Sequence, residues 1–254
     1  MNIYYTCIKE DVKILLNGLK MLIKEKTWEE AEELFKKGIA IILIGSIEQH
    51  GPHLPLGSDS YYAFEIAKRI GEYFNIAVLP IVEYSVTGYN MAYPSITIEP
   101  ETLTEYLKDI CKSLKFHGVN KVIFIAGHGG ENVPAIRTAS YIIARDLGIK
   151  ILVIFPWQFL PKAEAKKLEK DWHAGYLETS DMLYLKPELV KKNKIKKSSV
   201  PKPMNWISPY YECKRDWRKG VLGNPIKASA KVGRKNFEAI VKNLINYLKP
   251  LIKD

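Results

Sequence analysis

Four of the five histidines lie in three short polar clusters that also hold carboxylates or glycines. The first cluster, residues 45–59, combines Glu48, His50 and Asp59 and directly follows the apolar run 39–44. In an extended segment the side chains of Glu48 and His50 point to the same side, so both can face one cavity. Each residue alone could cap a helix or pack in a core. Their concentration within fifteen residues after a buried strand predicts metal binding instead.

The second and third clusters supply further imidazole and carboxylate groups. Residues 127–132 read GHGGEN and follow another apolar run, so His128 is a candidate ligand from a third strand. A glycine-rich turn explains the glycines but not the histidine. Residues 172–180 read WHAGYLETS, in which we predict that His173 transfers protons just before a helix and that Glu178 binds metal inside it. A helix cap and a surface acid are the alternatives.

The elements that position these clusters are visible as apolar runs separated by helical patterns. Strand-length runs cover residues 39–44, 76–82, 122–126 and 151–155, and helices are predicted over 28–35, 60–73, 103–114, 132–147 and 229–248. Alternation of this kind is typical of an α/β domain whose parallel strands are covered on both faces. The clusters follow the carboxyl ends of strands, where such sheets place their sites. Thr27 and Glu30 form a predicted capping box.

Composition narrows the class of protein. No apolar run of the 254 residues approaches the ~18 needed for a transmembrane helix, and the first twenty residues do not resemble a signal peptide. Three scattered cysteines without a CxxC motif favour reduced thiols in the cytoplasm. The net charge is +10, and residues 191–202 contain six lysines and no acid. That segment is either a solvated loop or a site that attracts an anionic partner such as a phosphorylated substrate. Because it lacks interleaved aromatic residues, it does not indicate nucleic-acid binding.

The candidate ligands offer nitrogen and oxygen atoms together, and this combination indicates which metals could bind. Such a set, without sulfur, suits Zn²⁺, Mn²⁺ or Fe²⁺. If Asp59 bridges two ions, they can lower the pKa of a bound water from 15.7 to about 7 and polarise an amide carbonyl. The sequence therefore predicts a two-metal hydrolase acting on a small amide. A non-catalytic protein that binds a phosphorylated ligand in the same pocket is the alternative of another class.

The motifs resemble the creatininase (creatinine amidohydrolase) family over about residues 27–245. The resemblance rests on 45–59, 127–130, 173–180, and GVLGNP at 220–225 followed by ASA at 228–230. It implies a three-layer α/β/α sandwich with a mostly parallel sheet, cleavage of non-peptide C–N bonds, and a homo-oligomer. It further implies that Glu48 and His128 bind one ion, that His50 binds the other and Asp59 bridges them, and that His173 is catalytic.

Two positions depart from creatininase itself. That enzyme has a glutamate two residues after its second metal-binding histidine and another just before its catalytic histidine, where this chain has Gly130 and Trp172. The last ligand of the second ion is then Glu178, or Glu131 as the second choice. The departures argue against creatinine, although creatinine or another cyclic amide remains the alternative substrate.

Within the family, the composition and the basic excess resemble the archaeal deformylases of 2-amino-5-formylamino-6-(ribosylamino)pyrimidin-4(3H)-one 5′-phosphate, which act on the way to flavin and deazaflavin cofactors. We expect one domain over residues 1–254, with 186–225 as an irregular excursion or lid.

Overall fold

The structure is a computed structural model that describes residues 21–88, 94–169, 171–196 and 220–253. In chain order its elements are α1 (Trp28–Phe35), β1 (Ile39–Ile44), α2 (Ser58–Phe74), β2 (Ala77–Val78), α3 (Pro100–Phe116), β3 (Lys121–Ala126), α4 (Asn132–Leu147), β4 (Lys150–Ile154), α5 (Lys162–Ala165), α6 (Tyr176–Leu185) and α7 (Ala230–Lys253). Strands and helices alternate through the first part of the chain, as the apolar runs predict.

The four strands form one parallel sheet in the order β2-β1-β3-β4. β1 pairs with β3 along its whole length, from Ile39 opposite Lys121 to Ile44 opposite Ala126. Both strands are buried at every position, which explains why their sequences are continuously apolar rather than alternating. The predicted α/β class with a parallel sheet is confirmed.

The helices cover both faces of this sheet. From β1 the chain moves to β2 at one edge of the sheet, and it then crosses back over β1 to β3 and β4. Because parallel crossovers are right-handed, this reversal of direction places α2 on one face and α3 and α4 on the other. The contacts agree, because α3 packs on α4 while α2, α6 and α7 pack on one another. The strand order reverses between β1 and β3, so the loops after these two strands open the crevice where doubly wound sheets bind ligands.

Several predicted boundaries shift for identifiable reasons. The run 76–82 gives only the two-residue β2, because Pro80 has no N–H for the ladder. The chain nevertheless stays beside β1, since the backbone N–H groups of Leu79 and Val82 donate to the carbonyls of Ile41 and Leu43 at 2.9 Å. Helix α2 begins at Ser58 rather than at residue 60, β4 begins one residue early, and α7 extends to Lys253. The capping box of Thr27 and Glu30 is present.

The irregular stretch 186–225 is only partly described. Its described parts, 186–196 and 220–225, contain no α-helix or strand, and residues 197–219 lie outside the described residues. Lys191, Lys192, Lys194 and Lys196 of the lysine-rich run are exposed, while Lys197 and Lys202 lie outside. Among the described helices, none is both long and apolar enough to cross a membrane. The extent of the single domain and the lid role stay predictions.

Candidate metal centre

The loop after β1 turns Glu48 and His50 inward. The Glu48 backbone N–H donates to the carbonyl of Leu56 at 3.0 Å, which ties the start of the loop to its end. The His50 ring donates from Nδ1 to the carbonyl of Glu48 at 3.0 Å, so its other nitrogen, Nε2, faces away from the loop. Both side chains are almost fully buried. The loop therefore presents one carboxylate and one imidazole nitrogen to the interior.

Asp59, in the first turn of α2, lies between two histidines. Its Oδ1 is 3.3 Å from His50 Nε2, and its Oδ2 is 3.0 Å from His128 Nδ1. Ser46 fixes the carboxylate by donating its hydroxyl to Oδ2 at 2.6 Å. Each oxygen of Asp59 thus faces a different imidazole, which is the arrangement of a bridging carboxylate.

His128 comes from the loop after β3, where the chain passes close to α2. Its Nδ1 is 2.9 Å from Glu48 Oε2, and the Asn132 side chain holds the histidine backbone by donating to its carbonyl at 3.2 Å. Gly127 is required here, because a Cβ at this position would collide with the backbone of Asp59. Glu48, Asp59 and His128 therefore form one compact group with the spacing of metal ligands.

Glu178, in the first turn of α6, completes a second group with His50 and Asp59. Its Oε2 lies 3.8 Å from His50 Nε2 and accepts a hydrogen bond from the backbone N–H of Ala174. The first choice of the sequence analysis, Glu178, thus lies close to His50 and Asp59. Glu131, the second choice, precedes α4, where its side chain contacts Gly88, and it belongs to none of the groups found among the described residues.

His173 belongs to a third group of possible ligands, together with Glu48 and His50. Its ring centre is 4.4 Å from that of His50, and its Nε2 donates to the carbonyl of Gln49 at 2.7 Å. Backbone hydrogen bonds to Leu222 hold the segment, as in a short antiparallel bridge. Burial, opposed by Glu48 and reinforced by His50, lowers the pKa of His173 to about 4. The ring is therefore neutral at pH 7, with its proton on Nε2 and Nδ1 able to accept another.

Asp171 is a structural residue of the site that sequence reasoning missed. Its Oδ1 accepts from the backbone N–H of Tyr176 at 2.7 Å and of Asn224 at 3.3 Å, and its Oδ2 accepts from that of Leu177 at 2.8 Å. It thereby caps α6, the helix that carries Glu178, and attaches it to the loop before α7. The sequence held one signal for this role, since Asp171 lies five residues before a helix whose N-cap is a glycine.

Burial and close contact between the ionisable groups of this cluster shift their pKa values and leave several of their atoms without hydrogen bonds. Burial alone would lower the pKa of His50, but Asp59, Glu178 and Glu48 raise it to about 10. Because a carboxylate is less stable when it is buried, burial raises the pKa of Glu178 to about 7. Both carboxylate oxygens of Glu48 and Nε2 of His50 are buried without a hydrogen bond. These unpaired oxygen and nitrogen atoms all offer lone pairs, and divalent cations would satisfy them.

A cavity of about 350 Å³ opens onto the cluster. Its inner wall contains Asp59, His128, His173 and Glu178, and the rest is largely apolar or aromatic. That volume suits a small organic molecule rather than a folded partner. The described residues that line the whole cavity are Ser58, Asp59, Tyr62, Gly127, His128, Gly129, Gly130, Val133, Trp157, Leu160, Trp172, His173, Leu177, Glu178, Asp181 and Met182.

Comparisons with known proteins identify relatives along nearly the whole chain. The creatinine amidohydrolase of Pseudomonas putida is 26% identical over 90% of this chain and 96% of its own length. A mycofactocin precursor peptide peptidase of Mycobacterium tuberculosis is 30% identical over 81% of this chain and 82% of its own. The 2-amino-5-formylamino-6-ribosylaminopyrimidin-4(3H)-one 5′-monophosphate deformylase of Methanothermus fervidus is 26% identical over 85% of both.

Solved structures agree on the fold. A crystal structure of creatinine amidohydrolase superposes with a TM-score of 0.79 at 24% identity, covering 92% of this chain and 98% of that one. Other solved creatininases include a mutant of Zn–Zn type and an Mn form. The family model described as "Creatininase: Creatinine amidohydrolase" matches residues 24–248. The sequence motifs, the sheet topology and this match agree, and the chain therefore belongs to the creatininase family.

Proposed function

We propose that this protein is a metal-dependent hydrolase that cleaves a C–N bond, other than a peptide bond, in a small amide. The observation that carries the proposal is the pair of ligand groups that share Asp59. Glu48, Asp59 and His128 would hold one divalent ion, and His50, Asp59 and Glu178 would hold the other. The donor set admits Zn²⁺, Mn²⁺ or Fe²⁺. Two such ions would supply Lewis acidity toward an amide carbonyl and would lower the pKa of water toward neutrality.

The protein's own residues position and move protons around that centre. Ser46 holds the bridging Asp59 in one orientation through its 2.6 Å hydrogen bond. His173 is neutral and lines the cavity, so it can accept a proton at Nδ1 from the attacking water and return it to the leaving nitrogen. The donation of its Nε2–H to the Gln49 carbonyl fixes this tautomer. The buried, mostly apolar walls limit access of bulk water to the reacting bond.

For the substrate we propose a formamide, with 2-amino-5-formylamino-6-(ribosylamino)pyrimidin-4(3H)-one 5′-phosphate as the leading compound. Similarity to the Methanothermus fervidus deformylase supports this choice. Gly130 leaves no carboxylate at the position where creatininase has one, which argues against creatinine. The reaction would contribute to flavin and deazaflavin biosynthesis in the cytoplasm. A homo-oligomeric state is proposed from the family resemblance.

The test is a screen of formamides and cyclic amides with protein stripped of metal and then reloaded with Zn²⁺, Mn²⁺ or Fe²⁺. Formate release that disappears on stripping and returns on reloading is expected. Amide hydrolysis that persists in fully stripped protein would overturn the proposal.

His173→Ala separates an enzyme from a mere binder. Loss of general acid–base catalysis should lower turnover about 100- to 10,000-fold. His117→Ala is the matched control, because that histidine is exposed and outside the cavity. Unchanged turnover in His173→Ala would remove His173 from the mechanism. Absence of turnover in the wild-type protein with each of the three metals would favour a non-catalytic protein that binds a phosphorylated ligand.

A further inference from the structure

A third carboxylate of the cavity has no role at the ions. Asp181 lies three residues after Glu178 on α6, so both side chains project from the same face of the helix, and both line the cavity. Its Oδ1 is buried and has no hydrogen-bond partner among the described residues. Asp181 is in none of the ligand groups found in the described part of the chain. The cavity therefore contains an unsatisfied hydrogen-bond acceptor beyond the metal centre.

The surroundings of Asp181 disfavour its ionised form. Burial, reinforced by Glu178, raises the pKa of Asp181 well above its usual range. The described residues lining the cavity include no lysine or arginine. The hydroxyl-bearing Tyr62 and the apolar Met182 and Leu177 line the same wall. A buried carboxyl oxygen without a donor has lost its hydrogen bonds to water without replacement, and a ligand that donates a hydrogen bond restores one.

We propose that Asp181 is a specificity-determining residue that accepts a hydrogen bond from an N–H donor of the substrate, such as an amino group on a small heterocycle. This inference rests on the proposed function, which places the scissile amide at the ions.

The experiment compares two non-hydrolysable probes that differ by one amino group: 2-aminopyrimidin-4(3H)-one and pyrimidin-4(3H)-one. Their binding to Zn²⁺-loaded full-length protein is measured by calorimetry, with Asp181→Asn and Asp181→Leu as variants. Glu188→Leu is the matched control, since Glu188 is exposed just beyond α6 and outside the cavity. Formate release from the formamide screen is recorded on the same preparations.

The wild-type protein and Glu188→Leu should bind the amino probe about 10- to 100-fold more tightly, the value of supplying a hydrogen-bond donor to one buried, unpaired oxygen. Asp181→Leu should lose the preference, and Asp181→Asn, which keeps one acceptor oxygen, should retain part of it. Equal binding of the two probes, no binding of either, or a preference that survives in Asp181→Leu would overturn the inference. An Asp181-dependent preference without any formate release would support this inference while removing the proposed function.

Discussion

Asp171 offers a direct test of how the site is assembled, because its carboxylate connects three backbone segments. It is buried, with 8% of its surface exposed. Replacement by alanine leaves the N–H groups of Tyr176 and Leu177 at the start of α6 without their acceptor. Replacement by asparagine keeps one oxygen, which can still serve Tyr176 and Asn224, but turns an N–H₂ group toward the N–H of Leu177. The two variants should therefore differ in the free energy of unfolding.

The magnitudes follow from the geometry. The two short bonds, at 2.7 and 2.8 Å, are charge-assisted, and each is worth about 1.5 kcal/mol at the lower end of the range for charged groups. The bond to Asn224 at 3.3 Å adds little. Asp171→Ala should then destabilise the protein by about 3 kcal/mol, and Asp171→Asn by about 1.5 kcal/mol. For a chain of this size, the larger loss lowers the melting temperature by about 6–12 °C.

The assay is urea and thermal unfolding in the presence of a chelator, so that metal binding does not contribute to the measured stability. Thr27→Ala is the control: it removes an exposed helix cap, and should cost about 1 kcal/mol. An Asp171→Ala protein within about 0.5 kcal/mol of wild type, the usual size of a surface effect, would refute the reasoning. So would a larger loss in Asp171→Asn than in Asp171→Ala.

Three further predictions concern the ions, the backbone and the thiol. Asp59→Asn should lose both ions, whereas Glu178→Gln should keep the ion held by Glu48, Asp59 and His128. Metal content per chain after dialysis measures this. Retention of two ions by Asp59→Asn would contradict a shared ligand. Gly127→Ala should destabilise the fold by about 1–3 kcal/mol in chemical denaturation, because its Cβ would press on the Asp59 backbone; wild-type stability with full metal content would contradict this. Burial raises the pKa of Cys111 to about 12. Iodoacetamide at pH 8 should therefore leave this thiol unmodified in the folded protein and modify it in urea, as detected by peptide mapping. Labelling in the folded state would contradict the burial of Cys111.

The sheet was predictable because its strands are buried on both faces. Continuous apolar runs such as 39–44 can satisfy only that environment, and their bounds agree with the structure within about one residue. The run 76–82 was overestimated, because hydrophobicity reports burial whereas a ladder also needs N–H donors, and Pro80 has none. The described strand β2 is therefore two residues long, although the chain remains beside β1.

The candidate ligands were predictable for a different reason. Carboxylates and histidines directly after buried strands have few structural uses, and strand order brings such positions to one edge. The choice of Glu178 over Glu131 was not decidable from spacing, because it depends on how α6 packs beside the loop after β1. Asp171 and Asp181 were missed on similar grounds. Their roles come from contacts between segments remote in sequence, and a lone acid carries no periodic signal.

The charges of the cluster explain why the sharing of Asp59 matters. Glu48, Asp59 and Glu178 are three carboxylates within two overlapping groups, and such a buried excess of negative charge is stable only with cations beside it. Two divalent ions with neutral His50 and His128 would leave a single net positive charge, which favours an amide oxygen as it gains negative charge. A separate carboxylate for each ion would cancel that remaining charge. One bridging acid would therefore keep the centre electrophilic. Asp181 lies farther along α6, where by our proposal it would select an N–H donor without binding the ions.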